Sequence, residues 1–197
     1  MRRKTVILAT FLCLASHAAR AQYTYNPFRI DVGAGLSFPV NNFGIGILGS
    51  IEPKYAIGQF SVGAHVELHV LGSSTEEYTS ISKYNNALLL TGDYHFTSDV
   101  YRPFVGLGVG SYLLAATVHS GSDYDYSEQY PSNSYSERYI LFGQNVGIML
   151  RAGCDLPHVR GVVQYNFVRS GKKDNVSVNF DYLSVGIAVS IGGGRVD

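Results

Sequence analysis

The sequence predicts an all-β fold: a single eight-stranded antiparallel transmembrane β-barrel with short periplasmic turns and longer extracellular loops. Three observations support this prediction. Apolar residues alternate with small or polar ones in segment after segment from Phe28 to Ile191, as in strands with two unlike faces. The connections between these segments alternate in length. Charged residues make up only 15% of the 197 residues, whereas glycine contributes 22 and tyrosine 15, which suits a sheet between lipid and a crowded interior.

The N-terminus is expected to form a secretory signal peptide over residues 1–21, which leaves residues 22–197 as one barrel domain. Its basic start, apolar run and small-x-small cleavage site are residues 2–4, 6–15 and 19–21. Cleavage removes basic residues and no acidic one, so the exported chain is mildly acidic and nucleic acid is not an expected partner. Cys154 is then the one remaining cysteine, which excludes an intramolecular disulfide bond.

The first four strands are expected at about 27–38, 44–55, 59–71 and 84–96. In each of them apolar side chains occupy every second position, the period of a strand with one buried and one differently solvated face. These apolar faces are, in chain order, Phe28, Ile30, Val32, Ala34 and Leu36; Ile45, Ile47 and Ile51; Phe60, Val62, Ala64, Val66, Leu68 and Val70; and Leu88, Leu90, Tyr94 and Phe96. The opposite faces carry charged and small residues, so we expect them to line the interior.

The fifth strand, from Pro103 to about Val118, begins with Pro103-Phe-Val-Gly-Leu-Gly-Val-Gly110. Glycine takes every second position here, so one face is apolar and the other has almost no side chains. Glycine weakens a strand and is usually kept where another group comes close, which suits a wall with lipid on one side and a narrow lumen on the other. The last three strands are expected at about 138–152, 159–169 and 176–191. Their apolar faces are Ile140, Phe142, Val146, Ile148 and Leu150; Val163, Tyr165 and Phe167; and Leu183, Val185, Ile187, Val189 and Ile191.

The connections predict the orientation of the barrel. Those after the second, fourth and sixth strands are short (56–58, 97–102 and 153–158), and the two longest are 72–83 and 119–137. Short turns face the periplasm and longer loops face outward in outer-membrane barrels, so both termini are expected to be periplasmic. Without tryptophan, the interfacial girdles are expected from Tyr and Phe near strand ends. The inner set is Tyr55, Phe60, Tyr94, Phe96 and Phe104, and the outer set is Tyr84, Tyr139, Tyr165, Phe167 and Phe180.

A soluble lipocalin-like barrel or β-sandwich is the alternative fold. It would turn its polar face to water, where long charged side chains are common. Here that face is dominated by Gly, Ser, Ala and Asn, which suits a cramped lumen better and favours the membrane barrel.

The segment Arg102–Gly110, the pair Gly143/Gly147 and the closing segment Leu183–Val189 resemble the small outer-membrane β-barrel superfamily that includes OmpA, OmpX and OmpW-like proteins. The resemblance covers the whole exported chain. It implies a location in the Gram-negative cell outer membrane, among outer-membrane lipids and lipopolysaccharide, and we expect a monomer. Many members end on an aromatic residue, whereas this chain ends Gly192–Asp197, so an assembly signal is expected in 180–191. The resemblance specifies a barrel and no activity.

A polar network is expected inside the lumen. Its members share the inward faces of the third, fourth and sixth strands: His65, Glu67, His69, Asp93, His95 and Arg151. Buried charges must be paired or hydrogen-bonded, so we interpret them as a structural network, extended by Arg29, Asp31, Glu52 and Lys54. A metal or catalytic site built from the histidines and carboxylates is the alternative. No cofactor and no metal ion are expected.

The loop 119–137 is the most distinctive exposed segment. Tyrosine with Ser, Gly and Asn is the composition of recognition loops. The residues expected to make surface contacts are Asp123, Tyr124, Asp125, Tyr126, Tyr130 and Tyr135. Three alternatives remain: a flexible solvating loop, a calcium site at Asp123, Asp125 and Glu128, and a catalytic group formed by His119, Ser120 and Asp123.

The sequence therefore predicts a non-enzymatic outer-membrane protein with a structural or surface-interaction role through loops 72–83 and 119–137. The expected partner is an extracellular protein or other surface ligand. An eight-stranded barrel is just filled by its side chains, so a general porin is excluded. Two alternatives are transport of a small apolar solute past Leu113 and Leu114, as OmpW-like proteins suggest, and a lipid A-modifying enzyme.

Overall fold

A computed structural model describes residues 26–40, 44–76, 79–97, 100–121, 135–168, 171–173 and 176–193. The barrel strands are β1 (Phe28–Pro39), β2 (Gly46–Ile57), β3 (Phe60–Glu76), β4 (Thr79–His95), β5 (Arg102–Gly121), β6 (Tyr135–Asp155), β7 (Val159–Val168) and β10 (Tyr182–Gly192). Each pairs antiparallel with its neighbours in the order β1-β10-β7-β6-β5-β4-β3-β2, and the barrel closes on β1. A separate hairpin joins β8 (Gly171–Lys173) and β9 (Val176–Val178). The predicted eight-stranded antiparallel barrel is confirmed.

The strands are strongly tilted. The tilt follows from the pairing of residues around the barrel. Starting at Phe38 of β1 and stepping from each residue to its partner on the next strand, one returns to β1 at Phe28. The strands are therefore staggered by ten residues around the eight-stranded barrel. With a rise of about 3.3 Å per residue and about 4.8 Å between strands, this stagger gives a tilt of about 40°. Transmembrane barrels have tilts in this range.

The outer surface of the barrel is apolar, as the alternation predicted. Side chains such as Val146, Ile187 and Leu90 are 74%, 69% and 68% exposed, which would be costly in water over so large a surface. Many of the other exposed apolar side chains follow the predicted outward faces of β1, β2, β3, β5, β7 and β10. This band is the surface that contacts lipid. No described segment forms a helix of sufficient length and hydropathy to cross a bilayer.

Two predicted loops are wrong in their bounds. Segment 72–83 is mostly strand, because β3 continues to Glu76 and β4 starts at Thr79. Likewise, β5 reaches Gly121 and β6 starts at Tyr135, which shortens the predicted loop 119–137 from both ends. The residues of these strand ends are mostly polar, which is the composition of a loop. The eighth barrel strand starts at Tyr182 instead of 176 because the β8–β9 hairpin precedes it.

A β-bulge in β6 overturns part of its predicted face. Leu114 pairs with Gly143 and the next residue of β5 pairs with Leu141, so Phe142 is the extra residue. Gly143 has a φ of 94°, in the left-handed region that glycine adopts without strain. Beyond the bulge the faces are exchanged: Ile140 is buried and Leu141 is exposed. Ile140 and Phe142 therefore do not face lipid as predicted.

Two members of the predicted aromatic girdles also lie inside the barrel. Phe104 and Phe180 are 1% and 0% exposed. Phe104 lies on the inward face of β5 together with Gly106, Gly108 and Gly110, because every second residue of a strand points to the same side. Gly153 of β6 makes room for its ring, because a Cβ on Gly153 would lie 2.8 Å from the ring of Phe104. The glycine-rich faces thus give space to large side chains that fill the lumen.

Candidate functional site

The end of the lumen on the side of the short turns is closed by a cluster around Asp155. Arg29 donates a hydrogen bond of 2.6 Å to Asp155, and Nε2 of His95 lies 2.9 Å from the same carboxylate oxygen. Arg160 lies 3.3 Å from the other oxygen of Asp155, and its guanidinium stacks on the ring of Phe104 with its carbon 3.6 Å from the centroid. Since the carboxylate contacts two guanidinium groups and an imidazole, its burial is compensated.

Arg151 organises the centre of the lumen. Its two terminal nitrogens donate to the two carboxylate oxygens of Glu52 at 2.7 and 2.9 Å, a bidentate pair. Its Nε donates to Asp93 at 2.7 Å. Thr91 donates a further hydrogen bond of 2.5 Å to Glu52. One guanidinium from β6 therefore joins β2 to β4 across the barrel.

Lys54 links the central residues to the group around Asp155. Its ammonium lies 3.1 Å from Asp31, 3.2 Å from Glu52 and 3.1 Å from Asp93. In this described part of the lumen, the cations Arg29, Lys54, Arg151 and Arg160 face an equal number of carboxylates: Asp31, Glu52, Asp93 and Asp155. The charges balance within one connected network.

Glu67 carries the network toward the outer end. It accepts hydrogen bonds from Gln164 at 2.6 Å and from the hydroxyl of Tyr182 at 2.5 Å. The ring nitrogens of His65 lie 3.3 Å from Glu52 and 3.3 Å from Glu67. An imidazolium can donate from both nitrogens at once, so His65 is placed to join the central carboxylate to the outer one.

Apolar side chains close the outer part of the lumen above Glu67. The ring of Tyr112 lies in the space left by Gly147, and its hydroxyl donates to Asn166 at 2.8 Å. Phe142 packs edge-on against Phe180 with 5.4 Å between centroids. The other members of this cluster are Ala87, Leu89, Leu114, Met149, Val168 and Tyr182.

The lumen therefore has no through-passage in its described part. Between the ionic network and the wall of β1, β2, β7 and β10 lies a cavity of about 30 Å³, bordered by Asp31, Ser50 and Ser184. This volume has room for about one water molecule. The hydroxyl of Ser184 beside it makes no hydrogen bond with any described residue and is suited to such a water.

We expect the purified protein to show no steady ion conductance in planar bilayers, because the ionic network and the apolar cluster both block the axis. Single-channel recording at neutral pH checks this expectation. Sustained currents of porin size would contradict a filled lumen.

One serine–histidine contact lies in the upper lumen. Nε2 of His69 is hydrogen-bonded to the hydroxyl of Ser37, and Nδ1 of His69 lies 4.0 Å from Glu67. The distance from Nδ1 of His69 to the carboxylate of Glu67 is too long for the hydrogen bond that orients a catalytic histidine. Ser37 is 0% exposed, so an acyl substrate has no access to it. This contact is structural, and no group of three His, Cys, Asp or Glu side chains among the described residues is arranged to hold a metal ion.

The structure brings the predicted lumen residues into one interior. Glu52, Asp93, Arg151, His65 and Glu67 are directly connected, whereas His95 belongs to the cluster around Asp155 and His69 to the contact with Ser37. Sequence reasoning missed Asp155, Arg160, Tyr112 and Tyr182. Their strand parity could have identified them, since each lies next to an exposed apolar residue in the sequence. Leu114 lies inside, whereas Leu113 faces outward, so the two do not line one solute pocket.

Most predicted residues of the recognition loop lie outside the described part of the chain: Asp123, Tyr124, Asp125, Tyr126 and Tyr130. The same holds for Glu128 and for residues 1–21. Tyr135 begins β6, and His119 and Ser120 lie in β5, but their side chains are outside the description.

Four strands continue well beyond the lipid-facing band. Pairing of β6 with β7 ends at Gly147–Val168, and pairing of β2 with β3 ends at Ile47–Val70. In contrast, β5 and β6 remain paired to Gly121–Tyr135, and β4 and β5 to Thr79–Ser120. We name this extension of β3, β4, β5 and β6 the projecting sheet. Gly121 lies eight residues beyond the lipid-facing Leu113, which is about 20 Å along the barrel axis at this tilt.

Comparison with solved structures assigns the fold. The chain matches the crystal structure of neisserial surface protein A (NspA) with 17% identity and a TM-score of 0.53, over 85% of this chain and 98% of that one. It also matches Ail, the attachment invasion locus protein of Yersinia pestis, with 10% identity and a TM-score of 0.46, over 85% and 98%. For the N-terminal barrel domain of Pseudomonas aeruginosa OprF the values are 13% and 0.38, over 83% and 97%. No protein-family model and no curated protein matches the sequence.

Proposed function

We propose that this chain, which has the fold of the small outer-membrane β-barrels, is a non-enzymatic protein of the Gram-negative outer membrane that binds an extracellular partner through the projecting sheet. The observation that carries the proposal is the contrast between its two ends. The lumen is filled by ion pairs and aromatic rings, so the axis offers no path for a solute. The strands β3–β6, by contrast, continue about 20 Å past the lipid-facing band.

The projecting sheet is suited to recognition because its strands are continuously paired and extend beyond the lipid-facing band. Pairing of β5 with β6 continues to Gly121–Tyr135, eight residues past Leu113. The tip carries the Tyr- and Ser-rich segment 122–134, and tyrosine gives a large contact area at low cost in side-chain entropy. Ordered strands that present such a segment reduce the entropy lost on binding.

Deletion of the outer part of the β5–β6 hairpin tests the proposal. The variant lacks residues 118–138 and joins Thr117 to Tyr139, a cross-strand pair, through an Asn-Gly turn. Cells expressing the whole chain are expected to adhere to at least one surface in a panel of immobilised extracellular-matrix proteins and polysaccharides. Cells expressing the variant are expected to fall to the background of cells without the protein.

Two controls accompany the deletion. Heat-modifiable migration on a denaturing gel must be equal for both proteins, since the barrel below Thr117 is unchanged. The lipid A of expressing cells is measured by mass spectrometry and is expected to be unaltered. Equal adhesion of the two proteins would contradict the recognition role, and a change in lipid A acyl mass would contradict the non-enzymatic one.

A further inference from the structure

A groove crosses the outer wall of the barrel at the top of the lipid-facing band. It has a volume of about 710 Å³ and runs along β2, β3 and β4 and upward to β5 and β6; the inward-facing Leu48 and His69 are also among its lining residues. Its lower part is formed by Ile47, Leu68 and Val70, which are 64%, 62% and 43% exposed. Its upper part is formed by polar or amphipathic side chains: Tyr84, Asn86, Thr117 and Tyr139.

Gly49 makes the groove deep at its apolar end. It faces outward between strands that otherwise carry large apolar side chains, and it pairs with Leu68. A Cβ placed on Gly49 would meet no atom within 4 Å. The glycine is therefore not required by packing within the barrel, and its missing side chain leaves a notch on the lipid side.

Asn86 is a polar residue on the lipid-facing surface of β4. It lies two residues from Tyr84 and from Leu88, which share its face, and it pairs with Leu68 and with Leu113. Its amide makes no hydrogen bond with any residue that the structure describes. An amide without a partner is costly next to hydrocarbon, so Asn86 is placed to bind a polar group of a lipid that lies against it.

We propose that this groove binds an acyl chain of an outer-leaflet glycolipid together with the amide that links the chain to its sugar. The apolar end, toward the membrane centre, takes the chain along Gly49 and Leu68. Asn86 both donates and accepts, which matches an amide linkage, whereas an ester offers acceptors alone. The outward side chains that line the groove carry no formal charge, and the titratable His69 among its lining residues is buried, so the recognised group is the neutral linkage and not a phosphate.

The groove is separate from the projecting-sheet function, although it rests on the proposed placement in the outer membrane. Because the chain contains no tryptophan, the variant Tyr84→Trp places a single fluorophore at the groove. The variant Phe167→Trp places one on β7, at an outward position 46% exposed. Both proteins are inserted into vesicles of brominated phosphatidylcholine, which quenches tryptophan on contact, and purified lipid A is added in increasing mole fraction.

The fluorescence of the Tyr84→Trp protein is expected to recover severalfold more than the mole fraction of lipid A predicts, because lipid A displaces the quencher from the groove. Recovery in the Phe167→Trp protein is expected to follow the mole fraction. In the Tyr84→Trp background, Asn86→Leu and Gly49→Leu are expected to abolish the excess. The matched control Gly161→Leu should retain it, because a Cβ on Gly161 also meets no atom within 4 Å but lies on β7.

Equal recovery in the two proteins would overturn the groove proposal while leaving the barrel in the membrane. An equal excess with an unbrominated phosphatidylethanolamine, whose chains are ester-linked, would overturn the assignment to an amide-linked chain. If neither tryptophan is quenched in brominated vesicles alone, the membrane placement fails and the groove proposal with it. Heat-modifiable migration confirms that each variant has folded.

Discussion

Arg151→Met is expected to lower the free energy of unfolding by about 3–5 kcal/mol, because removal of one partner leaves buried charges without compensation. Arg151 donates to both oxygens of Glu52 and to Asp93, and all three residues are at most 5% exposed. Methionine fills part of the volume but supplies no donor. Urea unfolding in phospholipid vesicles, monitored by circular dichroism, measures the change.

Two comparisons make this test specific to the ion network. Leu150→Met alters a lipid-facing side chain next to Arg151 and is expected to change the free energy of unfolding by less than about 1.5 kcal/mol. Adding Glu52→Gln to Arg151→Met removes one of the uncompensated carboxylates and is expected to restore part of the loss. A loss below about 1 kcal/mol for Arg151→Met would show that the network does not stabilise the barrel.

Gly106→Leu is expected to prevent assembly of most of the protein. A Cβ on Gly106 would clash with Oδ1 of Asp93 and would lie 2.9 Å from the backbone oxygen of Gly92. Leucine therefore has to displace the carboxylate that accepts from Arg151 at 2.7 Å and from Arg160 at 2.9 Å. Overpacking alone costs about 1–3 kcal/mol, and separation of buried charges adds to it.

The fraction of heat-modifiable protein after refolding into vesicles measures the effect of Gly106→Leu. Gly161→Leu adds the same side chain where a Cβ meets no atom within 4 Å, and it should fold like the unmodified chain. Gly106→Ala gives a milder form of the same conflict and should fold with reduced stability. Normal assembly of Gly106→Leu would mean that the glycine face does not make room for the ion network.

The alternation of apolar with small or polar residues predicted the barrel, because each strand has lipid on one side and the filled lumen on the other. Val105, Leu107 and Val109 face lipid while the glycines between them face the lumen, so the alternation in β5 is nearly free of exceptions. The same reasoning failed at Ile140, because the bulge at Phe142 adds one residue and exchanges the faces. Gly143 was a visible signal of this bulge, since an isolated glycine in a strand often marks one.

The alternation along each strand predicted which residues lie in the lumen, but it did not predict which of them form ion pairs with one another. Parity places Arg151 and Asp93 inside, yet their partners depend on the tilt and the ten-residue stagger, which the sequence alone does not specify. Asp155 was missed because the turn between β6 and β7 was placed at 153–158, whereas β6 continues to Asp155. Arg160 lay within the predicted seventh strand, but its inward parity was not used. The outer strands were missed for a different reason: above the lipid their polar residues have the composition of a loop.

The position of the two ends of the barrel can be measured on intact cells. One variant carries an epitope in place of residues 122–134, and the other carries it in the Gly58–Gln59 turn between β2 and β3. A membrane barrel that presents its projecting sheet to the exterior predicts antibody labelling of intact cells for the first variant. The second should be labelled only after the outer membrane is opened. Labelling of the second variant on intact cells, or of neither variant until the membrane is opened, would contradict this orientation and the recognition role that depends on it.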